Sequence, residues 1–158
     1  TRYMPHRVLD GWAKAKREFA ARADSQPDAA RRLVELRRRL VRDLHAAGAP
    51  IALGSDAPQF FNVPGFSIHH EMRMMQAAGL TPYQVLATGT REAGRYFGPK
   101  AGFGTIAPGQ RADLILLTAN PLENLANVER RAGVMVRGRW MPESEIQARL
   151  EKIAAARN

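Results

Sequence analysis

One carboxylate in this sequence stands where a catalytic group would be useful. The apolar run 51–53 ends in Gly54-Ser55-Asp56, and a loop punctuated by prolines continues to Gly65. In parallel α/β proteins, catalytic groups lie at the C-terminal ends of strands, and a carboxylate there can accept a proton from an attacking water and later return it. Aspartate after glycine and serine is also typical of an ordinary turn. The residues alone therefore leave Asp56 as either a proton acceptor or a turn former.

Four further residues near Asp56 have side chains that could contribute to a site. Phe60 and Phe61 lie in the loop after it and could shape an apolar substrate pocket, or they could pack against neighbours outside this sequence. His69 and His70 are adjacent, so on a helix they point about 100° apart and cannot both line one site. The sequence has no cysteine, which excludes disulfides, Cys-ligated zinc and thiol nucleophiles.

The charge of the chain permits two interpretations. Lys and Arg outnumber Asp and Glu by 24 to 15, a net charge of +9, and twelve of the basic residues precede His45. This pattern is typical either of a nucleic-acid contact or of the solvated side of amphipathic helices. Aromatic residues are not interleaved with the charges as in single-strand binders, which favours the helices. No apolar run approaches the roughly 20 residues of a membrane span, so a membrane partner is not expected, and the location, cytoplasmic or periplasmic, stays open.

The segments before Asp56 are predicted to be two helices and a strand. Helices are expected over 8–23 and 27–47, with Gly48 ending the second. In the second helix, leucines recur at helical spacing opposite most of the arginines, so this helix is predicted to cover a core. The leucines are Leu33, Leu36, Leu40 and Leu44. The run Pro50–Gly54 has no alternation, as expected for a parallel strand buried on both faces.

The segments after Asp56 change from helical to strand-like patterns. Helices are predicted over 67–78 and 81–97, the second starting at a capping box from Thr81 to Gln84. Beyond residue 100 we expect strand-like segments at 104–106 and 112–117, a hairpin over 133–141 that turns at Arg137-Gly138, and a helix over 143–156. The one parallel strand has no parallel partner in this sequence.

Three stretches, taken in order, resemble one protein family. They are "GAPIALGSDAP", "HHEMRMMQAAGLTPYQVLATGTREAGRYFG" and "GFGTIAPGQRADLILLTANPLENLANVERRAGVMVRGRW". The series is similar to the C-terminal third of the metal-dependent amidohydrolase superfamily, above all to its imidazolonepropionase-like and Xaa-Pro-dipeptidase-like members. The resemblance covers about residues 47–140. It is specific because of the order and spacing of the motifs, since each motif alone is weak.

The resemblance implies an α/β fold in three parts. Residues 1–100 would form the C-terminal part of a (β/α)8 barrel, with its last strand at about 50–55. Residues 101–141 would form part of a small composite β-sandwich, and 142–158 a C-terminal helix. A complete barrel needs at least roughly 200 residues, so we expect this chain to be a piece of a larger enzyme or a truncated homologue.

The resemblance also implies a reaction and a site. The reaction would be hydrolysis of a C–N bond in an amide, a peptide or a cyclic amide. The cofactor would be a divalent metal, for which zinc is the first candidate. Asp56 matches the family aspartate that contacts the metal and handles the proton of the attacking water. His69 matches a histidine that would face the substrate side of the barrel mouth, although a histidine at the helix surface or at an interface is an equal alternative. The family's His-x-His pair and its other ligands have no counterpart here, so this chain alone is expected to bind metal poorly and to be inactive.

The expected partners are the rest of the barrel or a second copy of the chain, together with a small amide or peptide substrate. Two other classes of function stay open. One is a catalytically inactive module that self-associates through the open edge of its half-barrel. The other is a basic domain that contacts nucleic acid through its N-terminal arginines.

Overall fold

The computed structural model describes residues 2–22 and 27–156, which form a mixed α/β structure as predicted. Within these residues the helices and strands are α1 His6–Arg22, α2 Pro27–Ala46, α3 Ser67–Ala77, α4 Pro82–Gly89, α5 Arg91–Phe97, β1 Leu114–Leu117, β2 Arg131–Val136, β3 Arg139–Pro142 and α6 Glu143–Ala155. Short 3-10 turns lie at Pro99–Ala101 and Leu125–Glu129. No helix in the described residues is both long and apolar enough to span a membrane.

The capping box predicted at the start of α4 is present. The Thr81 hydroxyl accepts a hydrogen bond from the Gln84 N–H at 3.3 Å, and the Gln84 side chain accepts one from the Thr81 N–H at 2.8 Å. The prediction of one continuous helix over 81–97 is wrong, because the backbone at Thr90 leaves helical geometry with φ −124° and ψ −87°. Gly89 and Thr90 both favour helices weakly, which explains why the chain breaks there into α4 and α5.

The core lies where α3, α4 and the 3-10 turn at 125–129 meet. Its buried members are Met75, Ala78, Leu80, Val85 and Leu125. Val41 from α2 and both Ile51 and Leu53 pack against this cluster. Because Leu125 follows β1 in the chain, the core joins the helical segment to the strand-containing segment.

The leucine stripe of α2, defined as Leu33, Leu36, Leu40 and Leu44, lies outside this core. Its side chains are 43% to 61% exposed. The prediction that these leucines cover a core is therefore wrong within the described part of the chain. The physical reason is that only the C-terminal part of α2, through Val41, reaches the buried cluster.

The three strands form one antiparallel sheet in the order β1-β2-β3. The predicted hairpin is confirmed: Val136 pairs with Arg139, and Arg137 and Gly138 adopt φ of 50° and 80°. Two successive left-handed residues are what a type I′ turn requires. The strand predicted at 104–106 is absent, because Gly104 adopts φ 104° and packs closely against the backbone of α5.

The segment predicted as the last barrel strand, 50–55, forms no strand within the described residues. Its side chains alternate instead: Ile51, Leu53 and Ser55 are half-buried, whereas Ala52 and Gly54 are exposed. The expectation that both faces of this segment are buried is therefore wrong within the described residues, since only one face is covered. A strand needs a neighbouring strand to pair with. Because 50–55 forms no strand in the described residues, the barrel strand stays a prediction.

Candidate functional site

The loop that follows this segment has an unusual backbone. Asp56 and Phe61 have φ of 52° and 60°, in the left-handed region. Aspartate tolerates this region better than most residues, whereas a phenylalanine there is strained by on the order of 1 kcal/mol or more. Such strain persists only where surrounding contacts hold the chain. We call residues 55–66 the Asp56 loop.

Hydrogen bonds inside the Asp56 loop hold this conformation. The Asn62 side-chain amide donates to the carbonyl of Ser55 at 2.9 Å, and the Asn62 N–H donates to the carbonyl of Gln59 at 2.9 Å. At the end of the loop the Ser67 hydroxyl accepts from the N–H of Val63 at 2.8 Å. The loop is thus closed on itself and joined to the start of α3.

The carboxylate of Asp56 is exposed and only partly hydrogen-bonded. The Gln59 side-chain amide donates to its Oδ2. Within 2–22 and 27–156, no other hydrogen bond or ion pair to this carboxylate is present. One oxygen is therefore held, and the other is open to solvent or to a ligand. Because a carboxylate oxygen of this kind can take up a proton, the geometry is compatible with the role predicted for Asp56.

Aromatic contacts attach the Asp56 loop to the N-terminal part of the chain. Phe61 packs against the buried Trp12 of α1, with ring centroids 5.5 Å apart, and Lys16 lies 5.7 Å from the centre of the Phe61 ring. Phe66 stacks on Tyr3 at 4.7 Å.

The two phenylalanines singled out in the sequence thus have different surroundings. Phe61 packs against α1, whereas the side chain of Phe60 is 66% exposed. Their roles in substrate binding stay predictions. The sequence places Trp12 and Phe19 seven residues apart on one face of α1, but no signal in it pairs Trp12 with Phe61.

His69 is half-buried on α3 and faces the strand-containing segment. Burial lowers its pKa, Arg131 and Arg73 act in the same direction, and Glu129 opposes them. Its Nδ1 is buried and has no hydrogen-bond partner in the described part of the chain. The charges nearest to His69 belong to α3 and to 129–131, not to the Asp56 loop, which favours a role at the contact between these segments. Its predicted role in substrate binding stays a prediction.

A second aspartate, Asp113, is bonded through both carboxylate oxygens. The N–H of Arg137 donates to Oδ1 at 2.7 Å, and Arg111 donates to Oδ2. The bond from the Arg137 backbone is the main cause of a lowered pKa at Asp113, to which Arg111 also contributes. Asp113 thus fixes the turn of the hairpin, so its role in this chain is structural.

Within residues 2–22 and 27–156, the residues of this chain do not form a metal site by themselves. In the described ranges, no three His, Cys, Asp or Glu residues come together in a group that could hold a metal ion. A catalytic zinc takes three protein ligands and a water. Asp56 is a single carboxylate, so it could supply at most one ligand to a site completed by other chain segments.

Comparison with known proteins identifies the family. The profile of the amidohydrolase family matches residues 11–141. This chain belongs to the amidohydrolase family. The resemblance stated from the sequence motifs is thereby confirmed at the level of the superfamily.

Solved structures share the fold of this amidohydrolase chain. One, described as a prolidase from Bifidobacterium longum, is 32% identical, with a TM-score of 0.59 over 73% of this chain and 30% of that chain. A Xaa-Pro dipeptidase with bound methionine is 24% identical, with a TM-score of 0.59 over 66% of this chain and 25% of that chain. Phenylurea hydrolase B is 22% identical, with a TM-score of 0.54 over 66% of this chain and 26% of that one. Below 25% identity, the likeness concerns the fold alone.

The amidohydrolase chain therefore spans between a quarter and a third of these solved relatives. No protein among the curated ones matches it.

Proposed function

We propose that this chain is the C-terminal part of a hydrolase that cleaves a C–N bond, with Asp56 as the acceptor of the proton of the attacking water. The observation that carries the proposal is the position of Asp56 in an amidohydrolase chain, at the end of the segment 51–55, with one carboxylate oxygen open. The substrate is an amide bond, either in a small peptide or in a cyclic amide. The 32% identity to a protein described as a prolidase favours the peptide.

The open face of the segment 51–55 provides room for this chemistry. Ala52 and Gly54 are small and exposed, as is Asp56. In the proposed reaction, Asp56 takes the proton of the water as it attacks the carbonyl carbon and then gives that proton to the leaving nitrogen. Phe60 contacts an apolar part of the substrate, while Phe61 holds the loop against α1. A divalent metal, for which zinc is the first candidate, would lower the pKa of the water. The remaining ligands of this metal would come from outside this chain.

The proposal is tested by Asp56→Asn in the complete protein. This change keeps the size of the side chain but removes the proton acceptor, so we expect kcat to fall by about 10²–10⁴-fold. Metal content and melting temperature should stay unchanged. Asp113→Asn is the matched control and should keep kcat, since both oxygens of Asp113 are bonded within its own chain. If Asp56→Asn kept more than about a tenth of kcat, a barrier change under about 1.4 kcal/mol, Asp56 would not be the base.

We also propose that the rest of the barrel covers the leucine stripe of α2. Two observations support this partner. The solved relatives are three to four times as long as the matched region, and large exposed apolar surfaces mark contact sites. Sedimentation of this chain with and without the remaining segments of the enzyme tests the proposal. The expected result is one-to-one association of this chain with those segments. A stable homodimer that excludes them would instead assign the leucine stripe of α2 to a second copy.

A further inference from the structure

We propose that Gln59 is a positioning residue, which holds the carboxylate of Asp56 in the orientation that proton transfer needs. This inference rests on the proposed role of Asp56 as the proton acceptor. It starts from the hydrogen bond that the Gln59 side-chain amide donates to Asp56 Oδ2. In the described part of the chain, this is the sole hydrogen bond to that carboxylate.

The backbone of the loop gives Gln59 a fixed place from which to act. Its carbonyl accepts the N–H of Asn62 at 2.9 Å, and the Asn62 side chain in turn reaches back to the Ser55 carbonyl at 2.9 Å. Ser55 and Asn62 therefore bracket Asp56 and Gln59 within one closed turn. The contact of Phe61 with Trp12 then anchors this turn to α1.

The hydrogen bond has a direct consequence for the chemistry. An exposed aspartate without a partner exchanges between side-chain rotamers, and only some of them aim an oxygen at the attacking water. Gln59 occupies Oδ2 and leaves the other oxygen open, so it selects both the rotamer and the oxygen that reacts. A glutamine amide is neutral, so it orients the carboxylate without competing for its proton.

The test compares Gln59→Met with Asp56→Asn and with the double variant in the complete protein. Methionine keeps the length of the side chain but donates no hydrogen bond. We expect Gln59→Met to lower kcat by about tenfold, in line with the cost of a lost orientation, with KM, metal content and melting temperature unchanged. In the Asp56→Asn background the same change should have no further effect, because a residue that acts through Asp56 has nothing left to orient. Gln76→Met, on the exposed side of α3, is the matched control and should leave kcat unchanged.

A crystal structure of the Gln59→Met protein provides a readout that does not depend on activity. The Asp56 carboxylate should be rotated or divided between rotamers over an unchanged loop backbone. The inference is overturned if that carboxylate keeps its orientation, if kcat is unaffected, or if Gln59→Met lowers kcat equally in both backgrounds. The proposed function fails separately, since it would be contradicted by an Asp56→Asn protein that stays active.

Discussion

Asp56 and Asp113 are both aspartates beside an apolar segment, yet their surroundings differ. Both oxygens of Asp113 accept hydrogen bonds from its own chain, one from the Arg137 backbone and one from Arg111. Asp56 has one such bond, from Gln59, and one open oxygen. A carboxylate whose oxygens are all used stabilises the structure, whereas one with a free oxygen can take part in chemistry. The bonding of each oxygen thus distinguishes an aspartate with a structural role from one that is free for the proposed chemistry.

The regions around the two aspartates differ in the same way. The region of Asp113, residues 111–142, is held by pairing within itself, namely the ladders of β1 with β2 and of β2 with β3 and the turn at 137–138. The Asp56 loop depends in addition on Trp12, which lies on the distant helix α1. Disturbing one region should therefore leave the other largely intact.

The largest effect on stability is expected for Trp12→Ala. Trp12 is 8% exposed, and truncating a buried tryptophan to alanine costs about 3–5 kcal/mol. Hydrogen exchange should accelerate in residues 55–66 and much less in 131–142. Phe19→Ala on the same helix is the control and should be nearly neutral, because Phe19 is 75% exposed. Equal acceleration in both regions would show that the loop is not anchored separately by α1.

A smaller effect, confined to the other region, is expected for Gly133→Ala. Gly133 is buried in β2, and a β-carbon there would overlap the Trp140 ring and lie 2.6 Å from the Met141 carbonyl oxygen. Overpacking of this kind costs about 1–3 kcal/mol. Thermal melting measures the loss, and hydrogen exchange should accelerate in β2 and β3 while the Asp56 loop keeps its protection. Gly11→Ala on α1 is the control, since a β-carbon there meets no atom within 4 Å, and it should stabilise the protein slightly.

The smallest effect is expected for Asp113→Asn, and it depends on pH. Since the hydrogen bond from the Arg137 backbone lowers the pKa of Asp113, its ionised form stabilises the folded state above the ordinary value of 3.8. This contribution is lost as the pH falls through the lower pKa of the folded state. Asp113→Asn should therefore lower the melting temperature slightly at neutral pH and weaken its dependence on pH in acid. Asp10→Asn on the exposed side of α1 is the charge-matched control; an equal change there would assign the effect to net charge.

Local patterns in the sequence predicted much of this fold. The capping box at Thr81, the turn at Arg137-Gly138 and the ends of most helices follow from residues a few positions apart. The exposed leucine stripe was not predictable, because periodicity shows which face of α2 is apolar but not whether another segment covers it. The break at Thr90 was missed because two weak helix formers sit inside an otherwise helical pattern.

The site was predictable only in outline. The run before Asp56 placed a carboxylate at the end of an apolar segment, and the role that the family motifs predict for it stays a prediction. The bond from Gln59 and the contact between Phe61 and Trp12 could not be inferred, since loops have no periodicity that reports side-chain direction. His69 was ambiguous from sequence, and its charged neighbours on 129–131 became apparent only in three dimensions.

The alternation along 51–55 has a consequence for how such an enzyme can diverge or be redesigned. Ile51 and Leu53 contribute to the core, whereas Ala52 and Gly54 lie on the face that also carries Asp56. A β-carbon at Gly54 would meet no atom within 4 Å in the described chain. Larger residues at 52 and 54 would therefore narrow the space beside the carboxylate without disturbing the core. In the proposed reaction, these two positions give selection, or an engineer, a way to change substrate size at little cost in stability.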